Sequence, residues 1–529
     1  MYTSSTTTVQ PNVLSDFNAM SRAGFIGTTS NVLIAVIRPV FAKMSDVFGH
    51  FQALLLAMVF EVLGSLICSF SNNFLTIFGG TSISVLGQAG YKTLVAIILA
   101  EILPIHMRAS VAAYVSVPNI VNYYLGVEVG NSLIDKWQWV YGILAILAVA
   151  CAMPALCSLY IQDRRARAVL NSISESKAEN NRSPILKRIN NALVDLDIFG
   201  LVLISGGLLA LLAPLGMELN IIYGWGSVQF IAPLCIGALV LTIFVYYELF
   251  VAKFPLVPFR LFKSRTFTCA IIANIFFNYS SKISLYYFNP YTQVTSEVSS
   301  RTAMFLQLGA TGFYIGMFLG GLAMQYSKRY RRWSWIGWAL WLVNICMMVH
   351  SRGGKANGVG ITEIAIVQLL QGIGDGIVTC CVGIGIQASV STVDLPIAIT
   401  LYSMVACLGN VLGEATATTV WVNTLPSKLK GHMRMDVDID SAINNINYFL
   451  GLPKDQRAIV QDAYVSTQKN ITFCCIVSML IAGIAMFGLV PHDLSEISTD
   501  NETANKEDVL DQKDSSADIS LNFVEKIQK

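Results

Sequence analysis

Long apolar runs alternate with short polar or charged breaks from about residue 24 to residue 490. A helix needs about 20 predominantly apolar residues to cross the hydrocarbon core of a bilayer. On that measure thirteen spans are expected, at roughly 24–42, 51–71, 74–100, 110–134, 139–161, 196–217, 228–250, 267–293, 303–325, 334–350, 360–389, 396–422 and 470–490. The implied organisation is an N-terminal transmembrane half (1–162), a basic cytoplasmic loop (163–195), and extra helices with a C-terminal transmembrane half (196–422). A long extracellular or lumenal loop (423–469), a last span (470–490) and an acidic, disordered cytoplasmic tail (491–529) follow.

Composition points the same way. The 529 residues are 54% hydrophobic and only 13% charged, with mean hydropathy +0.58, whereas soluble proteins carry roughly 25% charged residues. An all-α polytopic membrane protein is therefore expected. The net charge of +2 gives no reason to expect a nucleic-acid partner; what matters is where the cations sit. Segments 43–50, 164–188, 253–265 and 328–332 are basic and alternate with less basic connections, which places them in the cytoplasm. The turn at 351–358 departs from this rule, with two cations on the outer side. In this orientation the run 24–42 heads inward, and the opening residues read as the outer end of a first helix whose beginning is missing, which would give fourteen spans.

Several chemistries have no footing. The eleven cysteines all lie in or beside apolar runs, and the adjacent pairs Cys380-Cys381 and Cys474-Cys475 have the wrong spacing for a tetrahedral metal site. They read as small buried hydrophobes. There is no G-x-x-x-x-G-K-[ST] phosphate loop and no nucleophile or metal-ligand pattern, so neither an enzyme nor an ATP-driven pump is expected. The opening residues lack the basic and apolar regions of a cleavable signal peptide.

Ionisable residues inside spans cost about 2.5–3.5 kcal/mol each on insertion scales, so each is a functional candidate. Glu128, Asp375, Glu414 and Glu61 are candidates for carrying a proton. Lys92, in the small-residue stretch 87–92 (G-Q-A-G-Y-K), could hold an anionic cargo or a carboxylate partner. Lys282 shares a helical face with Tyr279 and Tyr286, as Glu128 does with Tyr124. With Tyr91, Tyr123 and Tyr287 these aromatics could line a cavity; for any one tyrosine, an interfacial belt or helix packing is the plainer reading.

Residues 37–50 read I-R-P-V-F-A-K-M-S-D-V-F-G-H, a charged hinge between two spans. Asp46, Gly49 and His50 fall where the major facilitator signature G-x-x-x-D-R-x-G-R has its Asp, second Gly and last Arg; Ala42, Val47 and His50 depart from it. Further segments resemble the fungal siderophore-iron transporters, a fourteen-span branch of that superfamily. They are A-E-I-L-P-I-H-M-R (100–108), K-W-Q-W-V-Y-G (136–142), L-D-I-F-G (196–200) and Y-E-L-F-V-A-K-F-P-L-V-P (247–258). H-S-R-G-G (350–354) and V-W-V-N-T-L-P (420–426) follow, the latter with Ala463, Tyr464 and Gln468 before the last span.

The resemblance implies proton-driven import of a ferric siderophore chelate, with a substrate site between the two halves near the midplane. It implies no cofactor and no protein metal ligands, since iron would travel inside its chelator. It assigns Asp46, Gly49, His50, Glu101, Arg108 and Glu248 to gating at the cytoplasmic end, and Trp421 and Tyr464 to the outer loop. The expected partners are the small chelate and the lipid bilayer, of the plasma membrane or an endosomal vesicle, with the protein a monomer. A proton-coupled exchanger of glutathione or other organic solutes is the alternative transport reading. Glu414 stands where the family usually has a small residue, and the missing first helix with the degraded hinge motivates a third reading, a non-transporting sensor or inactive paralogue.

Overall fold

The computed structural model describes residues 1–17, 23–174, 197–216, 226–252, 259–352, 360–391, 394–429, 449 and 451–491. Among them regular structure is helical, with no strand. The first half comprises α1 (Tyr2–Asp16), α2 (Ala23–Phe48), α3 (His50–Ser69), α4 (Phe74–Ile102), α5 (Ile105–Ser116), α6 (Pro118–Ser132) and α7 (Trp137–Ser174). Two helices follow, α8 (Ile198–Gly216) and α9 (Val228–Phe250). The second half comprises α10 (Arg265–Tyr286), α11 (Phe288–Ser296), α12 (Ser300–Phe305), α13 (Gly309–Ser327), α14 (Tyr330–Ser351), α15 (Ile361–Ala388), α16 (Leu395–Leu429) and α17 (Lys454–Met486).

Every expected span coincides with helix, yet among the described residues only nine helices are long and apolar enough to cross a membrane by length and composition. Two of the other four expected spans differ for visible reasons. The span at 110–134 is divided at Pro118, which opens α6, because proline lacks an amide hydrogen and clashes with the preceding turn. Helix α10 carries Asn274, Asn278 and Lys282 inside its apolar stretch.

Three expected loops are shorter than the sequence pattern indicated. The charged hinge is not a loop: α2 stays helical through Lys43 and Asp46, and the chain turns at Gly49 alone, whose φ of 97° strains any residue with a Cβ. The basic loop expected from 163 begins later, because α7 runs on to Ser174. The outer loop expected at 423–469 gives up both ends to helix, so the last span starts at Lys454 rather than 470. Hydropathy missed this extension because it is amphipathic. Val460, Ala463, Tyr464, Thr467, Gln468 and Ile471 form one buried face, with polar residues between them.

The remainder of those loops (175–196 and 430–448), the Pro-rich segment 253–258, the turn at 353–359 and the tail from 492 lie outside the described residues.

Close approach of helices rests on small residues. Gly312 and Gly316 of α13 lie against the carbonyls of Leu369 and Ile373, while Gly372 and Gly376 of α15 lie against those of Gly309 and Phe313. In lipid, where burial of apolar groups between helices supplies no net gain, such backbone contact is what drives packing. α8 and α9 pair with each other at the edge, and Val228, Ile236, Leu239 and Phe250 of α9 face outward. α15 and α16, by contrast, are mostly buried. Asp197 and Gly200 explain the D-x-x-G start of α8. The carboxylate accepts from the Gly200 amide at 3.2 Å, and a side chain at 200 would collide with it.

Candidate functional site

The two halves meet where α2 packs on α16 and where α5 and α6 pack on α13. The most buried charge at this interface is Glu414 of α16, 3% exposed. Its Oε2 lies 3.5 Å from Lys282 Nζ of α10 and accepts from Asn31 Nδ2 of α2 at 3.5 Å. α2 comes this close because Gly27 faces the carboxylate; a Cβ there would stand 2.8 Å from Glu414 Oε1. Lys282 also lies over the Tyr286 ring, 5.4 Å from its centroid. One carboxylate thus ties three helices and both halves.

Asp375 of α15 has a different setting. Ser281 Oγ of α10 donates to one oxygen at 2.8 Å and Thr379 Oγ1 to the other at 3.2 Å. One turn away, Gln371 donates to Ser284 Oγ at 2.5 Å, continuing the seam between α10 and α15. Arg352, expected in the outer turn, is instead 2% exposed and donates to the Ser284 carbonyl at 2.7 Å. The second outer cation, Lys355, lies outside the described residues.

In the first half, Arg38 of α2, Glu61 of α3 and Cys407 of α16 all lie within electrostatic range of Lys92 on α4. Tyr91, next in sequence to Lys92, lies within range of the same Glu61 and of Cys151 of α7.

At the outer end Glu128 of α6 pairs with Arg301 of α12, Oε1 to Nη2 at 2.6 Å, and both side chains are well exposed. Tyr124 stacks on Phe305 and its hydroxyl lies 2.8 Å from Thr311 Oγ1, while the Tyr123 hydroxyl donates to Gln307 at 3.2 Å. All four contacts cross between the halves. Tyr287 stacks face to face on Trp421 at 4.3 Å, and Trp421 meets Tyr464 edge-on at 5.0 Å. Trp421 and Tyr464 are therefore buried helix residues on α16 and α17, not loop residues. Tyr279 lies beside Thr416 on the same side of α10 as Lys282.

At the inner end His50 joins Ser45 and Glu101, the latter at 2.9 Å, and so ties the start of α3 to the end of α4. Asp46 lies near this pair, within range of His50, Glu101 and Lys43. Arg108 donates to the Leu103 carbonyl at 2.9 Å and reaches Gln387 of α15 at 3.4 Å, a contact between halves. Glu248 is buried in α9, away from these groups in sequence and beside Tyr247, whose hydroxyl donates to Asp197 at 2.8 Å.

Comparison with known proteins places this arrangement. Residues 1–414 match the sequence profile of the Major Facilitator Superfamily. The chain belongs to that superfamily. It is a multi-pass membrane transporter, not an enzyme.

Among its relatives, the MFS siderochrome iron transporter C of Aspergillus fumigatus is 27% identical over 90% of this chain and 78% of its own length. Siderophore iron transporter mirC of Emericella nidulans is 26% identical, over 90% and 79%. Siderophore iron transporter 1 of Schizosaccharomyces pombe is 27% identical, over 87% and 74%.

Solved structures share the fold at low identity. The human organic anion transporter MFSD10 aligns with TM-score 0.53 and 14% identity over 92% of this chain and 88% of that one. The proton:xylose symporter XylE aligns with 0.51 and 13%, over 94% and 95%.

The sequence pattern of this facilitator did not single out Asn31, Arg38, Ser281 or Arg301, and it placed Arg352 in the outer turn. Arg38 falls inside the span drawn at 24–42, and the rule that singled out Lys92 applies to it equally. The others are short polar or helix-end residues whose partners lie 68 to 383 positions away in the chain, and no local pattern announces such pairs.

Proposed function

We propose that this facilitator imports ferric siderophore chelates together with protons. The observation that carries the cargo is the likeness, across about nine-tenths of the chain, to relatives named as siderophore iron transporters. Proton coupling is supported by the contrast among the three buried or half-buried carboxylates. Glu414 and Glu128 each hold a cation. Asp375 is held by two hydroxyls, and among the described residues no cation lies within ion-pair distance of it. A carboxyl in that setting can gain or lose a proton without an ion pair being broken, and both hydroxyls can turn to donate or accept. Protonation at Asp375 would then bias which side of the α10–α15 seam is open, with the halves rocking about the site.

A second reading has a specific observation in its favour. A Schizosaccharomyces pombe relative, 25% identical over 84% of this chain, is named a low affinity heme transporter, so an iron porphyrin is the competing cargo.

The test is uptake of radiolabelled iron in cells lacking their own carriers, offered as hydroxamate chelates, catecholate chelates or hemin, with and without a protonophore. Accumulation of a siderophore chelate that the protonophore abolishes is expected. Accumulation from hemin alone would replace the cargo, and uptake indifferent to the protonophore would remove the proton.

A further inference from the structure

Two cations of the first half, Arg38 of α2 and Lys92 of α4, lie within electrostatic range of each other at the interface between halves. The α2–α4 approach is close there: a Cβ on Gly90 would fall 2.5 Å from the nearest Phe41 ring atom. α2, α4 and α16 pack on one another, and Arg38 lies one turn before Phe41, on the face of α2 that meets α4. Cys407 of α16 lies within electrostatic range of both, which places the pair against the second half. Lys92 keeps an accessible side chain even so. Arg38 Nε is fully shielded and has no hydrogen-bond partner, an expensive state for a guanidinium N–H. The carboxylate in range is Glu61 alone among the described residues that interact with Lys92, one anion for two cations.

We propose that Arg38 and Lys92 form an anion-binding subsite that takes an oxyanion of the cargo, a carboxylate or comparably acidic group, and so favours anionic over neutral or cationic iron chelates. The guanidinium fork offers paired N–H donors to a carboxylate and the ammonium a point charge beside it. An oxyanion there supplies the missing partner of Nε and relieves the repulsion between the cations. This rests on the transport reading above for the identity of the cargo, but not for the existence of the subsite.

The subsite is tested on the purified full chain in lipid nanodiscs, by thermal stabilisation with citrate, ferric citrate and a neutral ferric trishydroxamate. Citrate or ferric citrate should stabilise the wild type. Arg38→Gln and Lys92→Met should each weaken that binding at least tenfold and change binding of the neutral chelate less than twofold; Arg38→Lys should keep most of it. Lys92→Met is nearly isosteric and removes a costly membrane charge, so it folds even where Arg38→Gln does not. Stabilisation by ferric citrate alone would assign the oxyanion to the chelate, and equal stabilisation by citrate would assign it to a free anion. Variants that bind the anions like wild type, equal losses for neutral and anionic probes, or no anion binding by wild type would each overturn the subsite. Failure of iron uptake with citrate binding intact would instead sink the transport reading.

Discussion

The two halves treat charge in opposite ways. In the first half Arg38 and Lys92 face the interface together, with cation outnumbering carboxylate. In the second half each acidic group is individually satisfied, Glu414 by Lys282 and Asn31, and Asp375 by Ser281 and Thr379. A buried charge that is already paired is costly to disturb; one left with spare capacity is ready to meet a ligand. The difference assigns grip to the first half and switching to the second. Glu414 reaches across to Asn31, so it is the group through which the second half can sense the first.

Removing Glu414 should break this division most severely. Glu414→Ala leaves Lys282 and Asn31 without their acceptor in a nearly dry interface, a defect of the kind that costs about 3 kcal/mol at a fully buried pair. Lys282 is one-third exposed, so the loss should be smaller. It should still appear as a clear fall in the thermal midpoint of the purified protein, with uptake down at least tenfold. Adding Lys282→Met should return most of the stability and none of the uptake. Restoration of uptake by the double variant would show that the pair merely holds the helices.

Asp375→Asn sharpens the comparison without unsettling the fold, since an amide oxygen still accepts from Ser281 and Thr379. Accumulation should fall at least tenfold and the remainder should no longer respond to a protonophore, while chelate binding in equilibrium dialysis stays within about threefold of wild type. Protonophore-sensitive uptake by this variant would move the proton to another carboxyl.

How legible this was depends on range. Helix placement was open to reading because a span is a local property: some twenty apolar residues must be consecutive. The helix that fell short on hydropathy, α10, carries Lys282 and Ser281, so the same polar residues that weakened the span belong to the site. Lys92, Asp375, Lys282 and Glu414 were visible as misplaced charges in apolar sequence. Their partners were not, because Asn31 and Ser281 are cheap to bury and common in spans. Trp421 and Tyr464 were recognisable only by resemblance, and their stack with Tyr287 depends on two helices extending past the apolar core. Arg38 was hidden by its neighbour. Pro39 made the pair look like a helix end, although α2 continues for nine residues beyond it.

The smallest effect should come from the outer end, where Glu128 and Arg301 join the halves at 2.6 Å with side chains 43% and 61% exposed. Exposed pairs contribute about 0–1 kcal/mol and are screened by salt, and the neighbouring Tyr124–Phe305 stack and Tyr123–Gln307 hydrogen bond hold the same surfaces together. Glu128→Gln should therefore alter uptake by less than about threefold, with a change that shrinks as ionic strength rises. A Glu128→Arg, Arg301→Glu exchange should recover the wild-type rate at low salt. Because the pair bridges the halves, any effect should lie in the rate of opening rather than in cargo affinity, so maximal uptake should move while the half-saturating concentration stays fixed. A tenfold loss, or loss of protonophore sensitivity, would give Glu128 the proton-carrying part that its ion pair argues against, and the division of labour between the halves would have to be redrawn.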